Sequence, residues 1–267
     1  MNVFNLFLFG LLVTTCQEQP LKTVCNLPSN IKESSGLAYD ANTKLFWTIE
    51  DANNKSKLYG FDEKGVLQKE IKIENAKNHD WEDVLIDDSG NLYIGDFGNN
   101  GKKREKYAIY KVSASDLNKK KIDVQEIEFK LEGKKEKDFE AFILQDGMFY
   151  LFSKEKDETT LYSLPNKIGK HKAEKQDSYE FKGKGNHKIT AAAISSDGTK
   201  IFLLNAKKIW VFSNYEDNQF FKGDVSKIEF HHDSQKEGMC LKSANEIYIT
   251  DESNSGDGNL YMFKFND

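Results

Sequence analysis

The chain has 267 residues, with 38 Lys+Arg against 43 Asp+Glu, a net charge of −5 and three cysteines. Its 38% hydrophobic content, which includes 19 Phe and 11 Tyr, supplies a core and excludes a solvated coil. The acidic balance argues against a nucleic-acid binder, and a single arginine, Arg104, argues against bidentate clamping of several anionic groups.

In chain order, residues 1–15 come first and carry no charged side chain, and Val3 to Val13 is apolar apart from Asn5 and Gly10. About 11 residues cannot cross a ~30 Å hydrocarbon core as a helix, so the run reads as a signal-peptide core without the usual leading Lys or Arg. Val13-Thr14-Thr15-Cys16 resembles the lipobox of bacterial lipoproteins, with Thr15 in place of the usual Gly, Ala or Ser. The expectation is a leader over 1–15, a tether over 16–20 and one domain over 21–267. That domain would be exported to the bacterial cell envelope, periplasmic or outer-membrane surface, and held on the membrane only through acyl chains on Cys16.

Five similar units follow, starting at Ser35, Glu82, Glu140, Thr190 and Glu237, which are 47, 58, 50 and 47 residues apart. Each is an apolar strand, a turn rich in Asp, Asn, Gly or Ser, and a second apolar strand. A shorter aromatic strand comes next, as in Lys57-Leu-Tyr-Gly-Phe or Lys208-Ile-Trp-Val-Phe. In the first four units a more polar strand closes the set, as in Val66 to Ile73. Hydrophobicity that fades along each unit fits an inner strand buried on both faces and an outer, lysine-bearing edge. The pattern predicts an all-β, five-bladed β-propeller of four antiparallel strands per blade. Residues 21–27 would complete the last blade and close the ring. Cys25 and Cys240 then fall on the outermost and innermost strands of one blade, too far apart for a disulfide, and are expected as separate thiols.

The five first-strand residues converge on one mouth of the central channel: Ser35, Glu82, Glu140, Thr190 and Glu237. Three carboxylates and two hydroxyls so close together raise one another's pKa or recruit a cation. Oxygen ligands without His or Cys suit a hard cation such as Ca²⁺. The alternative is that each Glu caps channel N–H groups with water and no metal. Polar loops on the same face add Asp51, His79, Asp80, Trp81, Asp96, Asn99, Asn100, Lys154, His187 and Asp251 as a candidate ligand face. His79 and Asp80 would make an acid/base pair, or else Trp81 is a wedge between blades that positions Glu82. No Gly-x-Ser-x-Gly, His-Glu-x-x-His, P-loop or Cys-x-x-Cys motif is present.

The order Ser35, Glu82, Glu140, Thr190, Glu237 resembles that of calcium-dependent nucleotidases of the soluble apyrase family, which are five-bladed propellers. Their central Ca²⁺ is held by hydroxyl, Glu, Glu, hydroxyl and Glu from the five inner strands. Thr190 stands where that family has serine, Glu237-Gly238 matches its Glu-Gly motif, and Glu50-Asp51 lies where it has an Asp-Asp pair. The arginine that follows that pair is missing here. The blade pattern also resembles the SdiA-regulated family of bacterial envelope propellers. The likeness carries over the metal positions but, with Arg104 the one arginine of the chain, not nucleotidase activity, and the expectation is a monomeric module with a central Ca²⁺ that binds a small molecule or an envelope protein. The other reading is a calcium-dependent hydrolase of phosphate or ester bonds, apyrase-like or lactonase-like.

Overall fold

The computed structural model describes residues 21–133, 136–183, 185–232, 234–252 and 258–265. The expected leader, tether and lipidation site at Cys16 lie outside these residues, as does the loop over 253–257. Among the described residues no helix is long and apolar enough to cross a membrane.

Among the described residues the chain is almost wholly β, with 21 strands and two short 3₁₀ turns at Ala114–Asp116 and Phe220–Lys222. Strand β1 (Lys22–Asn26) is followed by β2 (Ser34–Asp40), β3 (Leu45–Glu50), β4 (Lys57–Phe61) and β5 (Leu67–Ile73). Next come β6 (Trp81–Ile86), β7 (Leu92–Asp96), β8 (Tyr107–Val112), β9 (Lys121–Ile122) and β10 (Gln125–Leu131). The third group is β11 (Phe139–Gln145), β12 (Met148–Ser153), β13 (Glu158–Pro165) and β14 (Gly169–Glu180). The fourth is β15 (Ala191–Ile194), β16 (Lys200–Leu204), β17 (Lys208–Ser213) and β18 (Asp224–Glu229). Strands β19 (Gln235–Ser243), β20 (Glu246–Glu252) and β21 (Asn259–Lys264) end the chain.

Turn chemistry sets the hairpins. Asp87 accepts from the backbone N–H of Ser89 and Asn91, both at 2.9 Å, and closes the β6–β7 turn. Asp40 at the β2–β3 turn and Asp197 at the β15–β16 turn do the same, accepting from Asn42 at 2.9 Å and Thr199 at 3.0 Å. Each hairpin then pairs with an aromatic third strand, because the inner strands are buried on both faces and the outer ones alternate.

Hydrogen bonding gives four sheets of four, eight, four and five strands, and so does not divide the chain into five separate four-stranded sheets. The eight-stranded sheet arises where Gly169–Ala173, the first part of β14, pairs in parallel with β10. The rest of the long β14 pairs antiparallel with β13. The five-stranded sheet arises where β9, on the way from β8 to β10, adds a parallel rung outside β5. In both cases two outer edges are stitched together, which covers unpaired backbone that would otherwise face water. At the other end of the chain, β1 pairs antiparallel with β21, so the N-terminal strand is the outer member of the last sheet. Cys25 on β1 and Cys240 on β19 are both free thiols.

The inner strands β2, β6, β11, β15 and β19 touch in a closed circle, each beside the next and β19 beside β2. Gly36 shows how close that approach is. It lies at φ +72°, and a Cβ there would sit 2.5 Å from the backbone N of Val84 on β6. The core divides into apolar clusters between successive strand groups. Trp81, Trp47, Ile49 and Ile94 share one, and Phe97, Phe139, Phe142 and Phe149 share the next.

Candidate metal centre

At one end of the inner-strand circle, Glu82, Asp138 and Glu140 each offer an oxygen, all within 4.8 Å of one another, and all three are buried. Glu82 belongs to a second such group with Asp51 and Asp80. The local sequence explains the convergence. Asp80-Trp81-Glu82 opens β6 and Asp138-Phe139-Glu140 opens β11, so each inner strand begins by burying an aromatic between two acids. Strand alternation sends Trp81 and Phe139, both 0% exposed, into the core, and leaves the flanking acids to the channel mouth. Asp138 is absent from the residues expected as ligands. The repeated Asp-aromatic-Glu was the signal that could have found it.

The acids are held from outside. The backbone N–H of Asn99 donates to Asp138 Oδ1 at 2.6 Å, and a Cβ on Gly98 would meet Glu82 Oε1 at 2.1 Å. Loop 96–104 therefore packs its backbone against the carboxylates, and a side chain at 98 would push the ends of Glu82 and Asp80 aside. Lys154 Nζ donates to Glu140 Oε1, whereas Glu140 Oε2 is buried without a hydrogen-bond partner. The mouth is thus not made of oxygens alone, since an ammonium group reaches into it.

Burial, followed by the neighbouring acids, raises Glu82 well above the usual carboxylate range and lifts Asp80 to about 6. Burial also raises Asp138 and Asp51, and carries Glu237 and Glu252 to about 7. The Lys154 charge opposes the rise at Asp51, Glu82, Asp138, Glu237 and Glu252. One ammonium group thus serves as counter-ion to five acids. A hard cation that takes six to eight oxygens at ~2.3–2.6 Å fits this donor set and would engage the unpartnered Glu140 Oε2.

Of the expected ligands, Glu82 and Glu140 enter the acidic group, and Glu237 lines a cavity beside it together with Thr190 and Lys154. The hydroxyl of Ser35 donates to Glu82 O at 2.5 Å, and that of Thr190 to Lys236 O at 2.6 Å. Both protons therefore lace one inner strand to the next.

Several ligand-face expectations are corrected. Trp81, at the head of β6, follows the wedge alternative: it is wholly buried in one core cluster with Trp47 and Ile49 of β3. Asp96, fully buried, accepts from Arg104 Nη1 at 2.6 Å, Tyr110 OH at 3.2 Å and the N–H of Asp80 at 3.1 Å, and so braces the loop. Asp251 accepts from Tyr261 OH at 2.7 Å and from the N–H of Asn259 at 2.8 Å. Glu50 accepts from Tyr59 OH at 2.7 Å. An acid at the end of the second strand that takes a tyrosine from the third is therefore a repeated structural device. Asn99 spends its side chain on Arg104 and Tyr107, whereas Asn100 is exposed. His79 does not join Asp80 at the mouth. It is exposed and lines a surface recess with Arg104, Tyr110 and Glu126. His187 does line the cavity beside the acids, with its ring buried against Phe181 and Trp210, and burial lowers its pKa.

The cavity beside the acids has a volume of about 860 Å³, and Lys154, Lys188, Lys207, Lys208, Lys236 and Glu237 are among its walls.

An all-β chain with its inner strands in a closed circle is a β-propeller-like protein. A family model described as SdiA-regulated matches residues 22–263, and the chain belongs to that family. Two solved structures share the fold at low identity. One is the PQQ-bound aldose sugar dehydrogenase of Streptomyces coelicolor, with TM-score 0.52, 6% identity and 91% of this chain and 97% of that chain covered. The other is XC5397 of Xanthomonas campestris, described as a gluconolactonase, with TM-score 0.51, 9% identity and 94% and 96% covered. No curated protein matches the chain. The likeness to the apyrases rests on the residue order of the inner strands alone.

Proposed function

We propose that the chain is a five-bladed propeller with one Ca²⁺ at Glu82, Asp138 and Glu140, flanked by Asp51 and Asp80. It works as a lipid-anchored module of the bacterial envelope that binds a small molecule or an envelope protein at this mouth. The observation that carries the reading is the buried three-carboxylate group with Glu140 Oε2 unpartnered. Ionised acids so close need a compensating charge, and Lys154 contacts only one of the three. A bound cation would also polarise a ligand oxygen at the open side of the site.

Titration calorimetry tests this. One Ca²⁺ per chain is expected, with Glu140→Gln weakening the affinity at least tenfold. No heat of binding, or equal affinity in the variant, overturns it.

A second reading, hydrolysis of an ester bond, is favoured by the large cavity beside the acids and by the gluconolactonase among the proteins of similar fold. Ca²⁺-dependent turnover of a lactone or phosphomonoester, lost in Glu82→Gln, would establish it. Intact Ca²⁺ binding with no turnover would leave the binding module.

A further inference from the structure

Among the described residues, the large apolar side chains left exposed are Val66 at 51%, Ile168 at 45% and Val225 at 37%. Each stands where the third strand of a group gives way to the fourth. Val66 lies between β4 and β5, Ile168 lies between β13 and β14, and Val225 is the second residue of β18. The inner strands begin at the acids and strand direction alternates outward, so these turns belong to the far end of the ring.

Side-chain contacts join the same turns to that end. The turn with Val66 is held through Glu63, which accepts from Lys242 Nζ at 2.7 Å. Beside Ile168, Asn166 donates to Tyr93 OH at 3.0 Å, and that hydroxyl donates to Asp87 at 3.0 Å. Ahead of Val225, Asn218 donates to Asp146 at 3.1 Å. Lys242, Asp87 and Asp146 all line a recess of about 750 Å³ where the inner strands end. The chain enters the fold here as well. Lys22 opens β1 opposite Met262 of β21, and the N–H of Phe265 donates to Asn245 O in the β19–β20 turn at 3.1 Å. The six residue steps from Cys16 to Lys22 cover at most about 21 Å.

We infer that this far face is seated on a phospholipid bilayer, with Val66, Ile168 and Val225 in the headgroup boundary and the acidic mouth directed away from the membrane. This rests on the lipid anchor proposed above. A short tether that leaves from this end holds this face near the lipid, where apolar side chains gain by leaving water. Apolar residues exposed singly are ordinary, but here they share one end of a ring with the point of chain entry. They come from the first, third and fourth groups of strands and the tether from the last, so the contacts are spread around the ring. Lys22, Lys64 and Lys167 are exposed beside them and suit lipid phosphates. The acids of this face, Asp87, Asp88, Asp146 and Asp197, line the central recess, away from the rim. A dissolved ligand then reaches the mouth from the open side.

The test uses the full chain, produced with its leader in a bacterium and reconstituted into vesicles of phosphatidylcholine and phosphatidylglycerol. A polarity-sensitive NBD fluorophore is attached to Val66→Cys, Ile168→Cys or Val225→Cys, and to Asn100→Cys in the loop at the acidic mouth. The unsubstituted chain, with Cys25 half-buried, is the blank. The protein is expected to float with the vesicles. Emission should at least double at the three far-face positions, be quenched there by doxyl-labelled lipid, and stay unchanged at Asn100. The positions are read separately, so a variant that does not fold leaves the others to decide. A rise at Asn100, or flotation without the far-face rise, overturns this inference and leaves the anchor standing. Failure to float overturns the anchor and this inference together.

Discussion

Glu140 and Lys154 carry most of the chemistry of the mouth, and they were legible to different degrees. Glu140 follows from its place at the head of an inner strand. The reach of Lys154 into the acids does not, because a loop lysine has four rotatable bonds and sequence gives no direction for its ammonium. Asp96 and Asp251 were misplaced for a related reason. An acid at a strand end reads as a ligand until the tyrosine across the hairpin is seen to take it. The raised acids make stability depend on pH. Glu237 and Glu252 move from 4.5 to about 7, and Asp80 from 3.8 to about 6. The folded state therefore holds more protons than the unfolded chain between those limits, so stability is greatest below the unfolded values and falls as pH rises through 6 to 7. The groups that set this at Glu237 are burial, Lys154, Gln235 and Asp51. Melting in EDTA should drop between pH 5 and 8, and Ca²⁺ should flatten the drop. A melting temperature that rises over that window in EDTA contradicts the assignment.

At the scale of elements, strand order and turns were readable because apolar alternation and Asx-type turns are local. Asp40, Asp87 and Asp197 close the turns expected of them. The stitching of β10 to β14 and of β5 to β9 was not readable, since parallel pairing of outer strands depends on how neighbouring groups pack. The repeated Asp-x-Glu at 80–82 and 138–140 is in plain view in the sequence, yet only Asp80, Glu82 and Glu140 stand among the expected site residues and Asp138 does not. Trp81, placed between those acids, is wholly buried against its neighbours in the β3–β6 cluster. Trp81→Ala should cost about 3–5 kcal/mol in urea unfolding, as for other large aromatics removed from a core. It should also weaken Ca²⁺, because Glu82 loses its anchor. A loss below about 1 kcal/mol would mean that the ring does not wedge the two strand groups together.

For the whole molecule, the repeat spacing anticipated a ring joined by the N-terminal strand, and β1 does pair with β21. The inner-strand circle turns five separate chain segments into one mouth, which is why residues as distant as Asp51 and Glu237 influence each other. A single ion at that mouth would make the three inner-strand acids one coordination shell. The most direct measurement is anomalous diffraction from crystals grown with Tb³⁺, a Ca²⁺ surrogate. The expected result is one peak per chain within about 2.6 Å of oxygens from Glu82, Asp138 and Glu140. A peak confined to other acids, or no peak, would contradict the account.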